Sequence, residues 1–227
     1  MDRSDVEEDT GQVAKVFRET WMCLPALLVG SLLACVVALL GSMVSPGLTP
    51  ISLLVFGAFV LPVLVAMMWF VKTAVEGGST RVSTFLLSMP WVFKRVLPAT
   101  LIPSVLGSIA LLAWQVWMET ASPLSLVPLG MSATGTVLSA LATVVAAPLR
   151  LLMPRIRWRR CWLVSLMVVA RSPVPIGAVI VVNGVGIWSS TEFSAGILLL
   201  LPLLLAPVWV LAAIPSIARA GCGQRAL

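Results

Sequence analysis

The chain has 227 residues, 59% hydrophobic and 11% charged, with a mean hydropathy of +1.06 and a formal net charge of +6. A water-soluble domain carries about a quarter charged residues, so this composition excludes an ordinary globule and makes lipid the natural solvent. The basic excess flanks apolar blocks, which reads as membrane orientation rather than a nucleic-acid surface, and no nucleic-acid partner is expected.

The first residues are acidic (Asp2, Asp5, Glu7, Glu8, Asp9) and read as a solvated terminus. Val13, Val16, Phe17, Thr20 and Trp21 then recur at helical spacing, with Asp9 or Thr10 expected as the cap and Gln12 reaching back to Asp9. Six apolar spans follow: Met22–Met43, Ile51–Val71, Val96–Trp117, Leu129–Leu149, Val174–Ser190 and Ala195–Ile217. The expected fold is therefore all-α, a polytopic bundle of about six transmembrane helices with short amphipathic helices on the cytosolic side. Residues 1–21 form a cytosolic tail, 22–217 a single transmembrane domain and 218–227 a second tail.

Leu32-Leu33-Ala34-Cys35 resembles a lipoprotein cleavage box, but apolar sequence continues past the cysteine, so the first span is expected to be retained. The links Val44–Pro50, Met118–Pro128 and Thr191–Ser194 carry no Lys or Arg. All 15 basic residues fall on the opposite side, which places both termini in the cytosol of a bacterial cytoplasmic membrane. Trp21, Trp69 and Trp91 are expected at the inner headgroup level, and Trp114, Trp117 and Trp188 at the outer one.

Between spans two and three, Val82, Phe85, Leu86, Met89, Val92 and Phe93 define an amphipathic helix over Ser79–Arg95, capped by Ser79 or Thr80 and kinked at Pro90. Such a helix lies in the headgroup plane or docks into a partner, which makes Phe85, Met89, Phe93, Lys94 and Arg95 a candidate partner face. Arg155, Arg157, Arg159 and Arg160 are candidate anchors for anionic lipid. The stretch from Cys161 to Ser190 reads as an interfacial helix, a break at Arg171–Pro173 and a crossing, or else as one broken helix. An apolar helix ending in a basic residue and followed by proline occurs near Arg18, Arg95 and Arg171, which defines a weak threefold repeat of interfacial helix plus hairpin. Snorkelling cations give the same pattern without duplication.

Chemistry within the spans is sparse. No charged residue is expected at a span core, which argues against an ion pump or proton symporter. Ser132, Thr136, Ser139 and Thr143 share one helical stripe, either a packing seam or a polar pore wall. Asn183, followed by Gly184 and Gly186, reads as an interhelical amide contact or an opened backbone lining a solute site. There is no histidine, none of Cys23, Cys35, Cys161 and Cys222 makes a C-x-x-C pair, and Glu119 and Glu192 are isolated on the outer side. No catalytic, metal or cofactor-binding residue is expected, and Gly77-Gly78-Ser79-Thr80 is too short for a nucleotide-binding loop.

The run Leu61-Pro62 … Lys72 … Glu76-Gly77-Gly78 … Phe85 … Phe93-Lys94-Arg95, with the later Pro148-Leu149-Arg150 … Arg159 … Arg171-Ser172-Pro173, resembles the YesL-like bacterial membrane proteins over roughly Val16 to Ala218. That resemblance implies about six spans, no established activity and company with carbohydrate uptake systems. On it, the chain is an accessory or regulatory partner of an ATP-driven (ABC-type) sugar importer. This sequence carries prolines and few aromatics where that family's internal helix is rich in Arg, Phe and Trp. Glu76-Gly77-Gly78 … Phe85 … Met89-Pro90 is also similar in spacing to the coupling loop of ATP-driven importer permeases. A small channel or facilitator for an uncharged solute is the third expectation.

Overall fold

The computed structural model describes residues 3–45, 47–192 and 195–219, and every regular element among them is helical. The amphipathic α1 (Arg3–Met22) gives way at Cys23 to α2 (Leu24–Val44). Helix α1 already runs through Asp9 and Thr10, so the cap expected there is helix interior. The next span starts on a reciprocal cap, in which Thr49 Oγ1 accepts from the Ser52 N–H and Ser52 Oγ accepts from the Thr49 N–H. From that cap α3 (Pro50–Val55) passes through a π-helical stretch (Phe56–Val60) into α4 (Leu61–Val75).

Gly77 and Gly78 close α4. Gly77 has φ +87°, a left-handed conformation that costs other residues about 1 kcal/mol or more. The Gly78 N–H bonds the Thr73 carbonyl and the Gly77 N–H bonds that of Ala74, satisfying the last turn. Helix α5 (Val82–Thr120) is then unbroken for 39 residues, about 58 Å at 1.5 Å per residue. The boundary expected at Val96 therefore does not exist: the amphipathic segment and the third span are one helix through Pro90, Pro98 and Pro103. Its N-cap is Arg81, one or two residues beyond the expected Ser79 or Thr80, while Ser79 Oγ accepts from the Arg81 N–H. After a short 3₁₀ turn (Pro123–Ser125) come α6 (Leu126–Leu152), α7 (Trp158–Arg171), α8 (Pro173–Glu192) and α9 (Ala195–Arg219).

Close contacts fix the register of neighbours. A Cβ on Gly107 would meet Thr136, one on Gly135 would meet Leu106, and Thr143 bonds Ala99. From Gly107 beside Thr136 to Ala99 beside Thr143 the numbering falls along α5 and rises along α6, so the two form an antiparallel hairpin. Leu53 against Gly107, Gly57 against Ser104 and Trp69 against Trp91 set α3–α4 antiparallel to α5 in the same way. Gly57 is the tightest point: a Cβ there would overlap Ser104 and lie 3.0 Å from the Thr100 carbonyl. The core that results is purely side-chain packing, centred on Val63–Met68 of α4, Phe85 and Val92 of α5, and Val145–Ala147 of α6.

Leu24–Val44, Pro50–Val75, Val82–Thr120 and Pro123–Leu152 are long and apolar enough to cross a bilayer. Helices α7 and α8 meet at 97° across Ser172 and make a fifth such stretch if taken together, while Leu203–Ala218 of α9 is a shorter apolar stretch. The threefold repeat is imperfect. Breaks occur at Cys23 and Ser172, but the corresponding place near Pro98 is continuous helix.

Candidate functional site

Proline inside a helix removes an N–H and leaves the carbonyl four residues earlier without its usual donor. In water that carbonyl is solvated; in hydrocarbon it must be satisfied by protein. Pro103 frees the carbonyl of Ala99, and the Thr143 hydroxyl of α6 donates to it at 3.2 Å. Pro148 frees the carbonyl of Val144, and Trp209 Nε1 of α9 donates to it at 2.8 Å. Both donors are buried. Ser108 Oγ donates to the Pro50 carbonyl at 2.9 Å, and Cys161 Sγ approaches the Ala146 carbonyl at 3.7 Å. Side-chain bonds to main-chain carbonyls thus join α3, α5, α6, α7 and α9.

Between these joints lies a cavity of about 260 Å³. Its wall includes Leu53, Phe56, Pro103, Thr143, Val144 and Trp209, so both proline joints open onto it. The lining hydroxyls are already engaged: Ser104 donates to Thr100, and Thr136 to Ser132. What faces the void is mainly hydrocarbon.

The hydroxyl stripe of α6 follows the same rule. Ser132 bonds the Pro128 carbonyl at 2.7 Å, Thr136 that of Ser132 at 2.7 Å, Ser139 that of Thr136 at 3.0 Å and Thr143 that of Ser139 at 2.7 Å. Ser132, Ser139 and Thr143 are buried and Thr136 is half-buried, which is the geometry of a helix seam. The Asn183 side chain lies outside the described residues. Gly184 is exposed on α8, and among the described residues a Cβ there would meet nothing within 4 Å.

The expected partner face divides in two. Phe85 is fully buried, edge-on to Phe70 at 5.4 Å between ring centroids, and Met89 is buried beside it in the core. Phe93 is half-buried and packs on the same cluster. These three side chains are spent on the chain's own interior, which corrects their assignment to an open face. Leu86, Leu87, Trp91 and Lys94 are among the exposed positions of this segment.

Cations and indoles gather at one end of the bundle. Lys72 Nζ stands 4.8 Å over Trp69, Trp69 lies 6.0 Å from Trp91, and the Arg95 guanidinium stacks 4.1 Å over Trp91. Arg150 stacks 5.1 Å over Trp158, which meets Trp162 edge-on at 5.8 Å, and Arg150 Nη1 donates to the Ile156 carbonyl at 3.0 Å. Arg155, Arg157, Arg159 and Arg160 are all exposed in and after the α6–α7 connection. Lys72 is also bonded to Glu76 at 2.6 Å. Cys23, in the turn ahead of α2, is fully buried; burial and the nearby Glu19 carboxylate push its thiol up to about 11, so it is inert as a nucleophile. Among the described residues, no group of three or more His, Cys, Asp or Glu side chains is placed to hold a metal.

Sequence reasoning missed Trp209, because indoles in a membrane chain are first assigned to the interface. The signal was present as a proline inside one span and a donor side chain inside another. Fold and site together define an all-helical protein with, among the described residues, four helices long and apolar enough to cross a membrane, or five such stretches if the bent α7–α8 pair is one. No protein-family model matches the chain, and no curated protein or solved structure does.

Proposed function

We propose that the chain is a non-enzymatic accessory subunit of the bacterial cytoplasmic membrane, crossing about six times with both termini cytosolic. In this reading α7 lies at the inner headgroup level and α8 turns through 97° to cross. The observation that carries it is where the unspent polar chemistry lies. The described span hydroxyls discussed above bond main chain, whereas Lys94 and the Arg155–Arg160 cluster remain exposed at the basic end. A protein so built acts on others through its cytosolic end and its lipid-facing helices. The YesL-like resemblance supplies the partner class: the membrane subunits of an ATP-driven carbohydrate importer. The arginine cluster adds attraction to anionic lipid of about 1 kcal/mol per cation near the surface. Co-purification with such an importer in mild detergent, and altered sugar uptake on deletion, is the expected outcome. Purification always alone, with unaltered uptake, overturns the assignment.

The cavity beside the proline joints favours a second reading, a facilitator for a small uncharged solute. Solute flux into liposomes that requires the protein supports it, and flux equal to that of empty liposomes removes it.

A further inference from the structure

Two arginines at the basic end of α5 and α6 hold donors that nothing among the described residues accepts. Arg95 Nη1 and Arg150 Nε are buried and have no hydrogen-bond partner, and neither has the buried Nε1 of Trp162. A buried donor left unpaired costs about 1–3 kcal/mol, more when charged. No carboxylate relieves them: among the described residues the ion pairs are Arg18–Glu19 and Lys72–Glu76. The register of the α5–α6 hairpin puts both arginines on the same side of the Ala99–Thr143 contact, about one and two turns beyond it.

Each guanidinium is also presented in one particular way. The guanidinium carbon of Arg95 lies 4.1 Å over the Trp91 ring and that of Arg150 5.1 Å over the Trp158 ring. A guanidinium carries its donors in its plane as a fork matched to two oxygens of one phosphate, and the indole beside each limits how far the group can swing. The surroundings are amphipathic. Trp91, 39% exposed, lies one turn before Arg95 on the same helix, so an acceptor arriving here meets an apolar ring alongside the cation.

We propose that Arg95 with Trp91, and Arg150 with Trp158 and Trp162, form a binding site for the phosphate of an anionic phospholipid, its acyl chains running toward the membrane interior past Val105 and Ile109, which α5 exposes on that side. The site needs a bilayer or a lipid but no second protein, so it stands independently of the accessory-subunit reading. It differs from the exposed Arg155–Arg160 cluster, which offers a diffuse field rather than a fork.

The test is native mass spectrometry of the purified protein in neutral detergent, titrated with phosphatidylglycerol against excess phosphatidylcholine. Wild type should retain phosphatidylglycerol selectively, and unfold at a higher temperature when it is present. Arg95→Gln should weaken retention about tenfold, the loss of one charge-assisted pair. Arg95→Lys, which keeps charge but not the fork, should restore little of it, while Arg159→Gln should leave it unchanged. If Arg95→Gln does not fold, Trp91→Leu provides the second variant and should also weaken retention. Equal retention by wild type and Arg95→Gln, or equal loss in Arg159→Gln, overturns the site. Displacement of phosphatidylglycerol by millimolar inorganic phosphate overturns the lipid assignment in favour of a soluble anion.

Discussion

Single residues explain how helices rich in proline hold together where water is absent. Pro103 and Pro148 each create a carbonyl without a donor, and Thr143 and Trp209 each close that deficit from a neighbouring helix. Thr143→Val keeps the shape and removes the donor, so it should destabilise the protein by about 0.5–2 kcal/mol. Pro103→Ala restores an N–H within α5, so Thr143→Val should cost markedly less in that background. A double-mutant cycle of thermal unfolding in detergent measures the coupling; additivity of the two changes would show that the joint carries no energy. Gly57 supplies the second residue-scale case. Gly57→Ala drives a methyl into Ser104 and should cost about 1–3 kcal/mol, partly recovered by Ser104→Gly. An unfolding temperature unchanged by Gly57→Ala would contradict the close approach of α5 to the π-helical stretch.

Helical elements were largely legible in the sequence, because apolar runs bounded by Gly, Pro and polar pairs have few other solutions in lipid. The expected spans Met22–Met43 and Ile51–Val71 agree with α2 and α3–α4 to within a few residues. Helix α5 was not legible as one element. Amphipathic periodicity over Val82–Arg95, a proline at 98 and cations at 94 and 95 all read as a boundary, yet tertiary packing of Phe85 and Val92 carries the helix through. Burial also reassigns the site: sequence periodicity finds the apolar face of a helix but not what covers it. Thr136 and Thr143 showed as a stripe, whereas the carbonyl that Thr143 reaches depends on interhelical register, which one sequence does not encode locally. The two faces of α5 are separable by experiment. In a background without native cysteines, Leu87→Cys should react readily with a membrane-permeant maleimide, and Phe85→Cys only after unfolding. Equal labelling of both would contradict the inward packing of Phe85.

At the scale of the whole molecule, the account depends on which way the bundle faces. The basic residues sit where α4, α6 and α7 have their Lys72, Arg150 and Arg157–Arg160 ends, and the α5–α6 connection at the other end holds the exposed Leu124 with no cation near it. In the proposed orientation the basic end faces the cytosol, because translocating cations is disfavoured. The accessory role and the function of the arginine cluster both require that orientation. The most direct measurement is labelling of Leu124→Cys and Arg159→Cys, in the same cysteine-free background, with a membrane-impermeant maleimide applied to intact spheroplasts. Leu124→Cys should be labelled at once and Arg159→Cys only after lysis. The reverse pattern, or labelling of Arg159→Cys in sealed spheroplasts, would contradict the account.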